Sequence, residues 1–237
     1  MSAPVLKADK LNAFYGKAHI LFDVSLQVDA GEVVALMGRN GAGKSTTMKC
    51  LMGMMAQCEG SVLFQGTQLI GLAPYRIARL GLGLVPEDRR IFTDLTVMEN
   101  LEVGRQPARA GFPPWTPSRL FTLFPNLGEM PDRAGGSMSG GEQQMLTVAR
   151  TLMGNPSLLL LDEPSEGVAP VIVEQMAAMI MTLKKEGLAI LLSEQNMHFA
   201  ELVSDRAYVL EQGQMRFSGT MAELAADASV RSAYLSL

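Results

Sequence analysis

Short apolar segments separated by turn residues make up the N-terminal part of the chain. Val5 to Ala8, Leu21 to Val28 and Val33 to Met37 are rich in Val, Leu and Phe, with Gly and Asp between them. Such segments predict β-strands.

Continuous apolar segments alternate with longer helical patterns in the last third. Leu158 to Leu161 and Ala189 to Leu192 are strand-sized, and Gly140 to Met153 and Pro170 to Glu186 are helical candidates. Fully apolar strands that alternate with helices predict an α/β fold with a parallel sheet covered on both faces.

The middle of the chain contains short elements and a segment rich in Pro and Gly. That segment, Asn100 to Ser137, has helical candidates near it at Val97 to Val103 and Ser118 to Phe124. We interpret about 86–154 as a helical subdomain inserted into a core formed by about 1–85 and 155–237. The remaining predicted elements are helices at Ser45–Met54, Pro74–Leu80 and Thr220–Asp227, and strands at Val62–Phe64, Gly83–Val85 and from Arg206.

Composition narrows the class of protein. The 237 residues, 48% of them hydrophobic, suffice for a single domain with a real core. The net charge of −4 gives no electrostatic reason to expect nucleic-acid binding. No apolar run approaches the roughly 18–20 residues that a membrane span needs, and the N-terminus lacks the pattern of a secretory signal. We therefore expect a cytosolic chain, with Cys50 and Cys58 as ordinary reduced thiols.

A glycine-rich segment between a predicted strand and a predicted helix matches the phosphate-binding loop, G-x-x-x-x-G-K-[ST]. Its glycines allow successive N–H groups to point at one anion, and the helix N-terminus adds partial positive charge. Lys44 is expected to reach the β- and γ-phosphates, and Ser45 to bind Mg²⁺. The alternative is a strand-to-helix turn without a ligand. The loop consists of Gly38, Arg39, Asn40, Gly41, Ala42, Gly43, Lys44, Ser45 and Thr46.

Two acidic residues follow the apolar strand Leu158 to Leu161. Ligands of parallel α/β sheets lie beyond the carboxyl ends of the strands. Asp162 is therefore placed to hold Mg²⁺, and Glu163 to act as the general base that polarises the attacking water. Without the phosphate loop, this pair would be an ordinary turn or helix start.

A second glycine-containing turn, Ser137 to Gln143, opens another predicted helix. Its exposed N–H groups and the possible cap Ser139 suit an anion, although S-G-G-E-Q is also common as a plain capped helix start. Together with the phosphate loop and L-L-L-L-D-E-P, it resembles the ATP-binding subunits of ABC transporters. The resemblance covers Leu11 to Leu237.

The resemblance implies a P-loop NTPase core with an N-terminal antiparallel β subdomain and an inserted helical subdomain. It also implies a head-to-tail dimer that encloses ATP and Mg²⁺, in which Ser139, Gly140 and Gly141 contact the ATP held by the second ATP-binding subunit. Tyr15 matches the aromatic residue that stacks on adenine, although a tyrosine at such a place is commonly a core-facing strand residue.

Two positions depart from the general family pattern. Glu87 stands where a metal-contacting glutamine is usual, and Gln195 where a histidine senses the γ-phosphate. His198 does not match that motif, and we expect an exposed residue at a helix start. These departures, with x-E-Q-N and V-P-E-x-R-R, resemble the F-type subunit of branched-chain amino acid importers.

That subfamily implies two transmembrane permeases and, indirectly, a periplasmic solute-binding protein as partners, with the chain peripheral on the cytoplasmic face of the membrane. Ile91, Phe92 and Leu95 are candidates for the permease-docking surface, or else tuck into the core. Alternative functions are import of another small polar solute such as urea, and a non-transport nucleotide switch. This single short cassette fits three other classes of protein less well: chromosome-associated ABC proteins, tandem translation-linked cassettes and small P-loop kinases.

Overall fold

Two β-sheets, with helices packed around them, form the computed structural model, which describes residues 3–109 and 113–235. Its strands are β1 (Leu6–Tyr15), β2 (Ala18–Val28), β3 (Val33–Met37), β4 (Gln57–Phe64), β5 (Thr67–Gln68), β6 (Leu82–Val85), β7 (Leu158–Asp162), β8 (Ala189–Glu194), β9 (Arg206–Glu211) and β10 (Gln214–Thr220). Its α-helices are α1 (Lys44–Leu51), α2 (Pro74–Leu80), α3 (Val97–Gly104), α4 (Pro117–Leu123), α5 (Pro125–Gly128), α6 (Gly140–Leu152), α7 (Pro170–Lys185), α8 (Met197–Val203), α9 (Met221–Ala226) and α10 (Ala228–Val230). A 3₁₀ turn covers Gly135–Ser137, and a π-helical turn covers Arg231–Leu235.

The larger sheet has six strands in the order β10-β9-β3-β8-β7-β6. Every pair is parallel except β10 with β9, so the predicted parallel sheet is confirmed, with one antiparallel edge strand. Because β3, β7 and β8 are parallel neighbours, their carboxyl ends meet at one edge of the sheet.

Both faces of this sheet are covered, as the fully apolar strands predict. Along β7, Leu159 and Leu161 belong to the core beneath α6 and α7, whereas Leu158 and Leu160 belong to the core shared with α1 and the second sheet. All four are completely buried. Burying both faces holds β7 rigidly, and with it the acidic residues at its end.

The smaller sheet is antiparallel, in the order β2-β1-β4-β5, which confirms the N-terminal β subdomain. Its first strand runs to Tyr15, well beyond the predicted Val5 to Ala8, because an irregularity in pairing breaks the alternation of apolar positions. Lys10 has a φ of 49° at that irregularity. The strand therefore continues where its sequence pattern stops.

The segment between β6 and β7 is helical, as predicted. Thr96 caps α3 and Ser139 caps α6, each in a reciprocal pair with the glutamate three residues later. The short elements β5, α5 and α10 were not predicted, whereas the start of α8 was expected near His198. The division at about 85 and 155 stays a prediction, and positions 1, 2, 110–112, 236 and 237 of the proposed domain lie outside the described residues.

Among residues 3–109 and 113–235, no helix combines the length and the apolar character that a membrane crossing demands.

Candidate active site

The phosphate loop connects β3 to α1 at the carboxyl edge of the larger sheet. Gly38 has a φ of 156°, and a Cβ there would lie 2.4 Å from the Leu210 carbonyl oxygen. Gly43 caps α1 at a φ of 110°, a left-handed conformation that side chains disfavour. The loop path thus requires glycine at both positions. Arg39 and Asn40 are exposed, while Ala42 and Thr46 are buried.

Lys44 is the first residue of α1 and is only 3% exposed. Its Nζ donates hydrogen bonds to the carbonyl oxygens of Gly38 at 2.8 Å and Arg39 at 3.2 Å. It also forms an ion pair with Glu163 Oε1 at 3.0 Å. The loop therefore wraps around the lysine and holds its charge directly against the proposed base.

Ser45 and Asp162 meet although 117 positions separate them in the chain. The Ser45 hydroxyl donates to Asp162 Oδ1 at 3.2 Å. Burial raises the pKa of Asp162, and the hydrogen bond from Ser45 lowers it only in part. A hydroxyl beside a carboxylate is a hard oxygen donor set that fits Mg²⁺. Among the residues that the structure describes, no group of three or more His, Cys, Asp or Glu could hold a metal, so Ser45 and Asp162 are the protein ligands that this pair would offer to Mg²⁺.

Glu163 lies just past the end of β7 with a φ of 48°, which is rare for a residue with a side chain. Its N–H donates to the Ser193 carbonyl at 3.0 Å, which ties it to β8. Its carboxylate accepts from Lys44 through Oε1 and from Gln195 Nε2 through Oε2, both at 3.0 Å. Burial raises the pKa of Glu163, but hydrogen bonds from Glu166 and Lys44 outweigh it and set the pKa below its ordinary value. An ionised carboxylate held in this way can accept a proton at neutral pH.

Glu166 and Glu87 are two further carboxyl groups next to this cluster. A hydrogen bond with Glu163, together with some burial, raises the pKa of Glu166 to about 7. The charge of Glu87 contributes to the same shift, so this exposed residue of the loop after β6 lies near the site. Its contact with a metal remains a prediction.

The structure places Tyr15 at the end of β1 with half of its surface exposed. The ring does not tuck into the core, so that alternative is wrong and a flat aromatic face remains available for stacking.

His198 is exposed at the second position of α8, as predicted. Cys50 is buried and Cys58 half-buried, both as free thiols.

The second glycine-containing turn, Ser137 to Gln143, which we call the signature turn, leads into α6 and remains accessible. Ser139 is exposed and accepts the Glu142 N–H at 3.3 Å, so it is also a helix cap. A Cβ at Gly140 would lie 2.9 Å from Arg89 Nη1, and one at Gly141 would lie 2.6 Å from Ile172 Cγ1. These two glycines let Arg89 and α7 pack closely against the start of α6.

A cavity of about 520 Å³ lies between α2, α3 and α6. Only Phe92 of the three predicted docking residues lines it, and this residue is 47% exposed. Ile91 instead packs partly against the core, and Leu95 is half-buried outside the lining. We call this cavity the α2–α6 groove; its charged and aromatic lining residues are Tyr75, Arg79, Arg90, Phe92 and Arg150.

Sequence reasoning missed Glu194, the last residue of β8, which is 2% exposed. Its carboxylate accepts backbone N–H groups from Ser165, Gln195 and Asn196. A charged residue that ends an otherwise apolar buried strand was the signal that could have identified it.

Comparisons with known proteins agree with this geometry. The family description "ABC transporter" matches residues 21–166. A high-affinity branched-chain amino acid transport ATP-binding protein, BraG of Pseudomonas aeruginosa, is 45% identical, over 98% of this chain and 99% of its own length. The probable branched-chain amino acid transport ATP-binding protein LivF of Archaeoglobus fulgidus is 36% identical, over 93% and 94%.

Other relatives serve a different transport process. The lipopolysaccharide export system ATP-binding protein LptB of Haemophilus influenzae is 33% identical, over 98% of this chain and 97% of its own. Among solved structures, an ATP-binding subunit of an ABC transporter has a TM-score of 0.82 at 29% identity, covering 98% of this chain and 96% of its own.

Proposed function

Since this chain belongs to the ATP-binding, ATP-hydrolysing subunits of ABC transporters, we propose that it energises the import of branched-chain amino acids through membrane permeases. The observation that carries the ATPase mechanism is the convergence of Lys44, Asp162, Glu163 and Gln195 at the ends of three parallel strands.

The phosphate loop binds the triphosphate in this mechanism, and Ser45 and Asp162 would hold the metal. When bound, Mg²⁺ would neutralise charge on the phosphate oxygens. Lys44 would serve both the phosphate and the base, because its ammonium already contacts the Glu163 carboxylate. A bound phosphate competes with Glu163 for that ammonium and so frees Oε1 of the carboxylate.

Glu163 then accepts a proton from water as the water oxygen bonds to the γ-phosphorus. The bond from that phosphorus to the β–γ bridging oxygen breaks, and ADP and phosphate leave. Gln195 donates to Glu163 Oε2 and fixes the direction of the carboxylate. Because Gln carries no charge, it orients groups by hydrogen bonding alone.

The exposed signature turn supports a head-to-tail dimer. Ser139, with Gly140 and Gly141 behind it, presents a helix N-terminus that is open to a second subunit. We propose that it contacts the γ-phosphate bound by that subunit, and that Tyr15 stacks on adenine.

The α2–α6 groove is the proposed permease-docking surface. It combines exposed aromatic side chains, Tyr75 and Phe92, with three arginines and, among the described residues, no acidic lining residue. This chemistry suits a short permease segment with apolar residues and a carboxylate. Docking there would hold the chain at the cytoplasmic face of the membrane.

The choice of solute rests on the relatives named for branched-chain amino acid transport, one of them 45% identical. Uptake of radiolabelled leucine tests it, in cells that lack this chain and receive either the wild type or Glu163→Gln. We expect wild type, and not Glu163→Gln, to restore uptake. Restored uptake of urea alone, or a defect confined to lipopolysaccharide export, would contradict the assignment.

A further inference from the structure

Glu194 is a buried carboxylate whose two oxygens serve two different loops. Oε1 accepts the Ser165 N–H at 3.1 Å, and Oε2 accepts those of Gln195 at 3.1 Å and Asn196 at 3.2 Å. Only 2% of the residue is exposed. Taking a carboxylate out of water is costly, and these three donors compensate for that cost in part.

The two loops are those that carry the proposed base and its partner. Ser165 lies two residues after Glu163, and Gln195 donates to the Glu163 carboxylate at 3.0 Å. Glu194 therefore closes a ring of contacts that runs from Ser165 through Glu163 to Gln195 and back.

Glu163 needs such support because its backbone is strained. A φ of 48° is sparsely populated, and strained residues keep their conformation only when their surroundings determine it. The Glu163 N–H is tied to β8 through the Ser193 carbonyl, the residue before Glu194. Support on both sides of the base thus comes from the end of one strand.

We propose that Glu194 is a positioning residue for ATP hydrolysis, which sets Gln195 and Glu163 in register by clamping their two loops. The inference rests on the proposed roles of Glu163 and Gln195. Glu194 itself does not touch the nucleotide in this account, so it governs turnover and leaves ATP affinity nearly intact.

Glu194→Gln tests the clamp with little change of shape. One oxygen becomes an NH₂ group, which donates, so the N–H groups of one loop lose their acceptor. Because the charged acceptor that fixes one loop is lost, we expect kcat to fall about 10- to 100-fold, which is about 1.4–2.7 kcal/mol of barrier. The KM for ATP should change less than about threefold, because the phosphate loop is untouched.

Glu32→Gln is the matched control. Glu32 also accepts a backbone N–H, that of Asp29 at 3.0 Å, and pairs with Arg206, but it precedes β3, at the end opposite the phosphate loop. Glu32→Gln should lower the stability of the protein and leave kcat unchanged. Glu194→Asp keeps both oxygens on a shorter side chain and should give an intermediate kcat, which provides the same test if Glu194→Gln does not fold.

A double-mutant cycle with Gln195→Ala supplies a readout that a purely structural role would not move. If Glu194 acts through Gln195, the kcat of the double variant should be little lower than that of the worse single variant.

Four results would overturn the inference: normal kcat in Glu194→Gln, an equal loss of kcat in Glu32→Gln, a rise in KM that parallels the fall in kcat, or losses that add in the double variant. Equal turnover of wild type and Glu163→Gln in the same assay would instead overturn the proposed mechanism, and the clamp with it.

Discussion

Lys44 shows how one buried side chain can link nucleotide binding to the chemistry. Its ammonium contacts two loop carbonyls and the Glu163 carboxylate, all from a position that is 3% exposed. The ammonium of Lys44 therefore holds the phosphate loop together and also forms an ion pair with the proposed base.

Lys44→Ala should abolish tight ATP binding. The variant removes the cation that faces the phosphates, and it leaves Glu163 buried without its ion-pair partner. We expect affinity for a fluorescent ATP analogue to fall at least about tenfold, with some loss of stability. Lys49→Ala, in the last turn of the same helix, should bind normally. Equal affinities for the two variants would contradict the role of Lys44.

Glu166 should make stability depend on pH near neutrality. Its pKa is about 7 when folded and 4.5 in the reference state, so its stabilising contribution is complete below about pH 4.5 and is lost as pH rises through 7. Relative to Glu166→Gln, the wild type should lose stability between pH 5.5 and 8 in urea unfolding. Water screens this exposed group, so the difference should stay below about 1 kcal/mol. Parallel pH profiles would contradict the pairing with Glu163.

The residues of the site differ in how visible they are in the sequence. The phosphate loop, Asp162 and Glu163 occur in contiguous motifs whose chemistry is local, so they could be predicted. The contact between Ser45 and Asp162 follows once both are placed at one sheet edge. Glu194 stands out as a charged residue at the end of an apolar strand, but its role could not be assigned, because its partner Ser165 joins it only through the pairing of β7 with β8.

At the scale of elements, the start of α6 depends on close packing against α7. Gly141→Ala would bring a Cβ within 2.6 Å of Ile172 Cγ1. Such overpacking typically costs about 1–3 kcal/mol. We expect lower stability in urea unfolding, and partial recovery when Ile172→Ala removes the clashing atoms. A double variant that is as unstable as the sum of the singles would show that the clash is not the cause.

The elements that were predicted well are those whose pattern is strong and uninterrupted. The strands β3, β7 and β8 are buried throughout, and their apolar runs specify them. The strand β1 was underestimated because an irregular pairing interrupts its alternation. The exposure of the predicted docking residues could not be predicted, because it depends on neighbours in space: Ile91 packs partly against the core, and Phe92 lines the groove. Their contact with a permease stays a prediction.

At the scale of the whole molecule, the proposed functional surfaces lie on different parts of the fold. The phosphate loop, Asp162 and Glu163 lie at the carboxyl edge of the larger sheet, the signature turn begins α6, and the groove lies between α2, α3 and α6. In the proposed dimer, closure on two ATP molecules would move the helical part and the groove with it. ATP binding would thereby reach the permeases, and hydrolysis would reset the contact.

The structure of Glu163→Gln with ATP and Mg²⁺ tests the central claim most directly. The substitution removes the proton acceptor and keeps the shape, so the nucleotide should persist. We predict a triphosphate along Gly38 to Ser45, Mg²⁺ on Ser45 and Asp162, and the side chain at position 163 facing the γ-phosphorus. A triphosphate bound elsewhere, or positions 162 and 163 turned away from it, would contradict the account.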